Sequence, residues 1–484
     1  MRLNYKVVFF IMGVLLIIEG AFMLLSIPFS LIYKDSDALY LFVASFLTLL
    51  TGFLIWASFR SCSKSVGKHE GYIIVAIGWI VFSAFGALPF ILSPQGITNY
   101  TDAFFETMSG FTTTGASILN DIEALSHGLL FWRSLIQWLG GMGIIVLSLV
   151  ILPTLGIGGM QLFVAEVPGP TPDKIHPRVK ETAKRLWGVY AIFTLAEIIL
   201  LWIGGMGLFD SICHSFTTMA TGGYSTKQAS IAAYPSAFIQ YVITIFMFIA
   251  GVNFTLNYFF LHFRFKPIWK NEEFRWYTSF VLFFTIVIAI IVYVNHDISA
   301  EKAFRDSFFQ VTSIITTTGF ATYDYLEWVS PAWVLLFLLM FFGGSAGSTG
   351  GSVKIIRIIL VIKNGLLELK RIVHPNAIIP VRIDKQGVQP EVLSNVLAFI
   401  SVYLVIMIVG TTVMSFMGHD LDTSMGAVAA TLGNIGPGIG DVGPAYNFAG
   451  FSISGKWFLS FLMLVGRLEL FTVLVLFAPA FWKK

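Results

Sequence analysis

DAFFETMSGFTTTG, Asp102–Gly115, is apolar and glycine-ended, and the chain returns to its pattern three times. Asp210–Gly223 reads DSICHSFTTMATGG and Asp306–Gly319 reads DSFFQVTSIITTTG; in each the aspartate stands thirteen residues before the last glycine. Asp422–Gly436, DTSMGAVAATLGNIG, is one residue longer, so either Gly433 or Gly436 is the matching glycine. A self-similar unit of this size has to be interpreted before any single motif within it.

Around these units the chain is unusually apolar. Of 484 residues, 56% are hydrophobic and 12% charged, with a mean hydropathy of +0.81, which excludes an ordinary soluble protein. Ten segments have the length and character of a membrane span: Val7–Phe29, Ala38–Ser58, Gly71–Leu92, Leu129–Leu155, Leu186–Gly204, Ala237–Leu261, Phe274–Val294, Trp333–Ile362 (interrupted), Val392–Met417 and Trp457–Phe481. The first is too long for a signal-peptide core and reads as a membrane helix. No stretch forms an independent soluble domain; the longest polar connections are Gly159–Arg185 and Lys354–Glu391. Two cysteines, Cys62 and Cys213, cannot supply a disulfide framework or a metal cluster.

Charge sets the expected orientation. With the N-terminus cytoplasmic, ten alternating spans place 23 of the 30 Lys and Arg residues on the cytoplasmic side, as the positive-inside rule requires. The outer side then holds fifteen acids, among them Asp37, Asp102, Glu106, Asp210, Asp306 and Asp422, against six bases. Such a face concentrates cations.

Each repeated unit falls on that outer side, between two full spans. Its apolar part is about ten residues, too short to cross, so it suits a half-helix that stops mid-membrane. An aspartate at its start would cap free N–H groups, and its far end would aim exposed carbonyls at the membrane centre. Non-helical backbone at that depth must be buried in protein or line a water-filled cavity. Four such loops about one axis would make rings of carbonyls that replace a cation's hydration shell. Close helix packing would also favour Gly and Thr, but not the recurrent Asp-to-Gly spacing.

On Thr113-Thr114-Gly115, Thr221-Gly222-Gly223, Thr317-Thr318-Gly319 and Asn434-Ile435-Gly436, the sequence resembles the Trk/Ktr/HKT superfamily of potassium transport proteins, in particular its bacterial TrkH-type branch. The resemblance runs from about Gly71 to the C-terminus. It implies an all-α polytopic membrane protein: four helix–pore-loop–helix repeats in pseudo-fourfold arrangement, plus two extra N-terminal transmembrane helices. The corresponding divisions are residues 1–66, 67–160, 161–265, 266–385 and 386–484. It further implies those twelve residues as the filter, potassium as the transported ion because position 115 is Gly, and a homodimer in the bacterial inner membrane with both termini cytoplasmic. With no regulatory domain in the chain, a cytosolic nucleotide-binding ring, TrkA-like and responsive to ATP/ADP or NAD(H), is the implied partner. It would dock on Lys174–Arg185 and Lys354–Lys385.

Two features sit below the expected filter. Phe341–Ser352, FFGGSAGSTGGS, breaks its span with Gly343, Gly344, Gly347, Gly350 and Gly351; glycine at that density cannot hold a helix, and the segment reads as a gate or a packing kink. Arg467 is a charge inside the last span, functional by default at that depth. The family places an arginine there in the pore, as an electrostatic barrier or a contact to the gate; a salt bridge to Glu197 is the alternative. Glu19 and Glu197 are open to either a structural or a snorkelling role. GIGDVG at Gly438–Gly443 matches the dinucleotide pattern without the strand it requires, no P-loop is present, and no histidine has ligand spacing. No covalent cofactor, enzyme activity or nucleic-acid partner is expected. Motion through the pore would be driven by membrane potential; symport with protons or sodium is the rival use of the same filter.

Overall fold

The structure is a computed structural model that describes residues 3–63, 66–141, 143, 179–375 and 379–483. It is mostly helical; the strands among the described residues are a two-residue hairpin, Arg382–Ile383 with Gln386–Gly387, turned through Asp384 and Lys385 at φ 48° and 68°.

Six described helices are long and apolar enough to cross a membrane: Tyr5–Tyr33, Ala38–Phe59, His69–Leu92, Ala183–Ile203, Glu272–Asn295 and Pro390–Phe416. The expected span Leu129–Leu155 is described only as the helix His127–Gly141; its remainder, the 160/161 division and Lys174–Arg178 lie outside the described residues.

Three expected spans are not continuous. Ala237–Leu261 is two helices, Ala237–Ala250 and Phe254–Leu261, bent by 116°. Between them, Gly251 O accepts from the Ser345 N–H at 2.8 Å, and the Asn253 side chain caps the second helix through Thr255 N at 2.7 Å. The last span bends by 111° between Ile453–Arg467 and Phe471–Phe477, where Glu469 and Leu470 take φ of 56° and 51°. Glu469 is held there by an ion pair with Arg357. The interrupted span is Ser330–Leu339 followed by Ile355–Val373. Apolar composition alone cannot reveal the first two breaks, because their cause is a partner distant in sequence.

Threonines and serines lie at the centre, including Thr114, Thr221 and Thr318, while Phe283, Ile290 and Ile408 stand exposed on the outer faces, where a bilayer is the apolar solvent. The first two helices meet through glycines. A Cβ on Gly52 would fall 2.8 Å from Ile17 N and 2.9 Å from Gly13 O, the close backbone approach that small residues allow between membrane helices. Gly52→Val is therefore expected to destabilise the chain by about 1–3 kcal/mol, the usual cost of overpacking. An unchanged melting temperature in detergent would contradict this packing.

Candidate functional site: a ring of four left-handed turns

Four short helices occupy the centre: Tyr100–Phe111, Leu208–Met219, Ala300–Ile315 and Leu421–Leu432, of 12, 12, 16 and 12 residues. At 1.5 Å per residue they are roughly 18–24 Å long, short of a bilayer core of about 30 Å.

Their starts differ from the expected aspartate caps. Asn99 caps the first through Thr101 N, Gly207 precedes the second, Ser299 caps the third and Asp420 the fourth. Asp102, Asp210 and Asp422 fall inside the first turn, where they still suit the helix dipole. Asp306 is two turns in, because the third helix extends further outward.

Their ends are alike. Each helix is followed by a residue of positive φ, Thr113 (53°), Thr221 (53°), Thr317 (58°) and Asn434 (53°), and two residues on by Gly115 (82°), Gly223 (75°), Gly319 (83°) and Gly436 (98°). The residue between them returns its N–H to the helix: Thr114 to Ser109 O, Gly222 to Thr217 O, Thr318 to Ser313 O and Ile435 to Ala430 O, all at 2.8 Å. This is the Schellman ending. A threonine at positive φ is an outlier for a β-branched residue, and its threefold recurrence marks stored strain of the kind found at functional sites.

The fourth glycine is thereby identified in geometry as Gly436. Gly433 is an ordinary C-cap in the right-handed region, whereas Gly436 stands four residues after its helix, as do Gly115, Gly223 and Gly319. The extra residue of the fourth repeat lies at the helix start, not in the turn.

The four turns close on one another. A Cβ on Gly115 would overlap Gly222 O, one on Gly223 would overlap Thr318 O, and one on Gly319 would overlap Ile435 O. The cycle completes with Gly436, whose Cβ would lie 2.8 Å from Thr114 O. The cycle joins Thr114, Gly115, Gly222, Gly223, Thr318, Gly319, Ile435 and Gly436, eight of the twelve residues expected at the filter. A cavity opens on it, touching Gly115, Gly223, Gly319 and Gly436.

The glycine-rich segment packs directly beneath. Thr349 Oγ1 donates to Met219 O at 3.1 Å and Ala250 O at 3.3 Å, and Gly351 N donates to Thr317 Oγ1 at 2.6 Å. A Cβ on Gly351 would lie 2.5 Å from Gly433 O, so the segment meets three of the four repeats. Arg467 donates to Thr349 O at 2.8 Å, Gly140 O at 2.7 Å and Gly141 O at 3.0 Å. It therefore holds carbonyls of the segment and of the helix His127–Gly141. Glu19 and Glu197 are themselves fully buried.

Sequence reasoning missed several residues around this site. Glu273 Oε1 accepts from Ala346 N at 2.7 Å, Asn253 Nδ2 donates to Ala346 O at 2.7 Å, and Lys354 Nζ donates to Gly350 O. Glu106, assigned to the outer acidic face, is wholly buried and paired with Arg133 at 2.7 Å; Asp37 is buried too, with hydroxyls of Ser30 and Ser126 on its carboxylate. A signal existed for Glu106. Glu106, His214 and Gln310 each stand nine residues before the ring glycine, and each bonds the backbone or a hydroxyl just past its own ring: Ile118 N at 2.9 Å, Ser225 Oγ at 2.9 Å and Tyr323 O at 3.2 Å.

A multi-pass, all-α membrane protein built around a central ring of re-entrant turns is the class that this fold defines. Residues 40–484 match the TrkH family, described as "Cation transport protein". The chain belongs to that family. It is 42% identical over the full length of both chains to the "Trk system potassium uptake protein TrkH" of Escherichia coli K12, and 33% identical to the TrkG protein of the same organism, covering 99% of each. The crystal structure of "the Potassium Transporter TrkH from Vibrio parahaemolyticus" matches with a TM-score of 0.90 at 38% identity, over 99% of this chain and 100% of that one. These relatives are named for uptake and not for catalysis.

Removing the Arg467 bonds should loosen the segment beneath the ring. In a background lacking Cys62 and Cys213, Arg467→Gln is expected to speed thiol labelling of Ala346→Cys roughly tenfold, since each hydrogen bond from a charged group is worth about 1.5–3 kcal/mol. Equal labelling rates with and without Arg467 would remove it as a restraint.

Proposed function

We propose that the chain conducts potassium inward across a bacterial inner membrane, through a filter made by the backbone carbonyls of the four turns. The observation that carries this reading is the closed cycle in which each left-handed glycine abuts a carbonyl of the next repeat. Carbonyl rings replace the hydration shell of a cation. The C-terminal ends of the four short helices lie within four residues of the ring glycines and bring partial negative charge toward it. The names of the relatives, potassium uptake proteins and a potassium transporter, supply the ion. A membrane potential contributes about 2.3 kcal/mol per charge per 100 mV, enough for roughly fiftyfold accumulation without chemistry in this chain.

In the same reading Phe341–Ser352 is the gate, with Gly343, Gly344, Gly347, Gly350 and Gly351 giving it freedom to move and Arg467 holding it shut. A homodimer, and a cytosolic nucleotide-binding ring docked on the basic inner loops, complete the proposed assembly; "Trk system" in the relatives' names supports a multi-component arrangement. The termini are cytoplasmic, on the basic side of the chain.

Flux in proteoliposomes under an imposed diffusion potential tests conduction. Potassium and rubidium uptake should follow voltage with no proton or sodium gradient; a requirement for a second gradient would make the filter part of a symporter instead.

Gly115→Ser is expected to raise sodium permeation relative to potassium, because a side chain at φ +82° overlaps Gly222 O and must deform the ring. An unchanged ratio would take Gly115 out of the filter. Shortening the glycine-rich segment should raise basal flux, and an equally closed pore would argue against a gate there. Nucleotide should modulate flux only when the cytosolic partner is added; a full response from the purified chain would refute the ring's role.

A further inference from the structure

At the outer lips of the first and second turns lies a charged network, and Ser117, Arg133, Tyr224 and Ser225 line the cavity that opens on the ring. Glu106 comes from the first short helix and Arg133 from the helix His127–Gly141, and the pair is 0% and 2% exposed. Glu106 takes the first turn's outer lip: Ser117 Oγ donates to its two oxygens at 3.0 and 3.1 Å, and Ile118 N donates at 2.9 Å. Arg133 takes the second turn's lip, donating from Nη1 to Ser225 O at 2.9 Å. Ser117 and Ser225 each stand two residues past a ring glycine.

Tyr224 closes the network. Its ring lies 3.5 Å under the Arg133 guanidinium, and its hydroxyl reaches back across the junction, 2.7 Å from Glu106 O and 3.3 Å from Ala116 O. Its own N–H is held by Gln137 Oε1 at 3.0 Å, while Gln137 Nε2 donates to Gly222 O at 2.7 Å. One side-chain network therefore touches Ala116, Ser117 and Ile118 on one turn and Gly222, Tyr224 and Ser225 on the next.

Among the described residues, the hydrogen bonds that join the lips at the other junctions are neutral, although the fourth and first repeats also meet through the ion pair of Lys456 with Asp102. Ala232 N bonds Ala321 O at 3.1 Å, Tyr325 Oη bonds Gly438 O at 2.6 Å, and Phe448 N bonds Ser117 O at 2.8 Å. A fully buried ion pair is weak as a source of stability, since apolar residues of the same volume often serve as well. What it supplies is geometry: a planar guanidinium with fixed donor directions, anchored by a carboxylate in a low-dielectric site where each bond is directional and strong.

We propose that Glu106, Arg133 and Tyr224 are positioning residues that set ion discrimination by fixing the spacing between the first and second turns of the ring. The proposal rests on the filter reading above. Carbonyl rings discriminate by cavity size or by the field of their oxygens, and both depend on how far apart neighbouring turns stand. With the network intact, the Gly115–Gly222 approach is held; with it cut, the first and second lips separate and a smaller, more strongly hydrated cation is admitted more readily.

The test is the sodium-to-potassium permeability ratio, read as a reversal potential with the full-length chain in proteoliposomes, alongside a melting temperature. Tyr224→Phe removes one hydroxyl and keeps the ring. Arg133→Lys keeps the charge but cannot hold Glu106, stack on Tyr224 and reach Ser225 O together. Each is expected to raise the ratio about fivefold, the factor that corresponds to one lost hydrogen bond. Where Arg133→Lys fails to fold, Tyr224→Phe decides alone. Folded variants with the parental ratio, while Gly115→Ser shifts it, would overturn the network's role and leave the filter standing. Parental ratios in all three would instead overturn the filter reading and this proposal with it.

Discussion

Everything in this molecule is arranged around a backbone turn that three of its four sequences resist. Threonine at φ near +55° costs on the order of 1–3 kcal/mol at each position, yet Thr113, Thr221 and Thr317 all adopt it. The turn persists because its surroundings over-determine it. The helix before it accepts the returning N–H, the following glycine takes a second positive φ, and the neighbouring repeat's carbonyl stands where a side chain would otherwise project. Asn434 meets the same demand with a residue that tolerates the left-handed region better, which explains how a repeat so divergent in sequence still joins the ring.

Breaks elsewhere in the chain follow from the same centre. The segment Phe341–Ser352 packs under the ring, and its backbone groups need partners in an environment without water. They find them by bending other helices. Gly251 and Asn253 turn one span aside to meet Ser345 and Ala346. Arg467, at the end of the helix Ile453–Arg467, reaches Thr349 just before the chain turns through Glu469 and Leu470. Hydrogen-bond satisfaction, more than apolar periodicity, decides where these helices stop.

Charge is used differently from what a count by side of the membrane conveys. Asp37 and Glu106 are buried, and Asp102 pairs with Lys456 at 2.6 Å. Acids assigned to a cation-attracting surface thus serve as fixed acceptors that tie helices to turns. Helix ends and carbonyl oxygens bring negative partial charge to the ring without any titratable group.

Much was legible from residue order alone. The apolar runs fix a helical membrane protein, because only closed hydrogen bonding survives in lipid, and the spacing of Asp102, Asp210 and Asp306 from their glycines exposes the repeat and three of the four ring glycines. Glycine density at 341–352 marks a segment that cannot be helical. Other features required the tertiary structure, since they depend on contacts between residues far apart in the chain. The choice of Gly436 over Gly433 rests on where the helix Leu421–Leu432 ends and which glycine takes the positive φ, and Gly436 then faces Thr114 O from the far end of the chain. The bends at Gly251 and Glu469 rest on Ser345 and Arg357. Most of all, the pairing of Glu106 with Arg133 and Tyr224 comes from the fold: the recurrent position nine residues before a ring glycine marks Glu106, but only the tertiary structure removes its water and sets a guanidinium beside it.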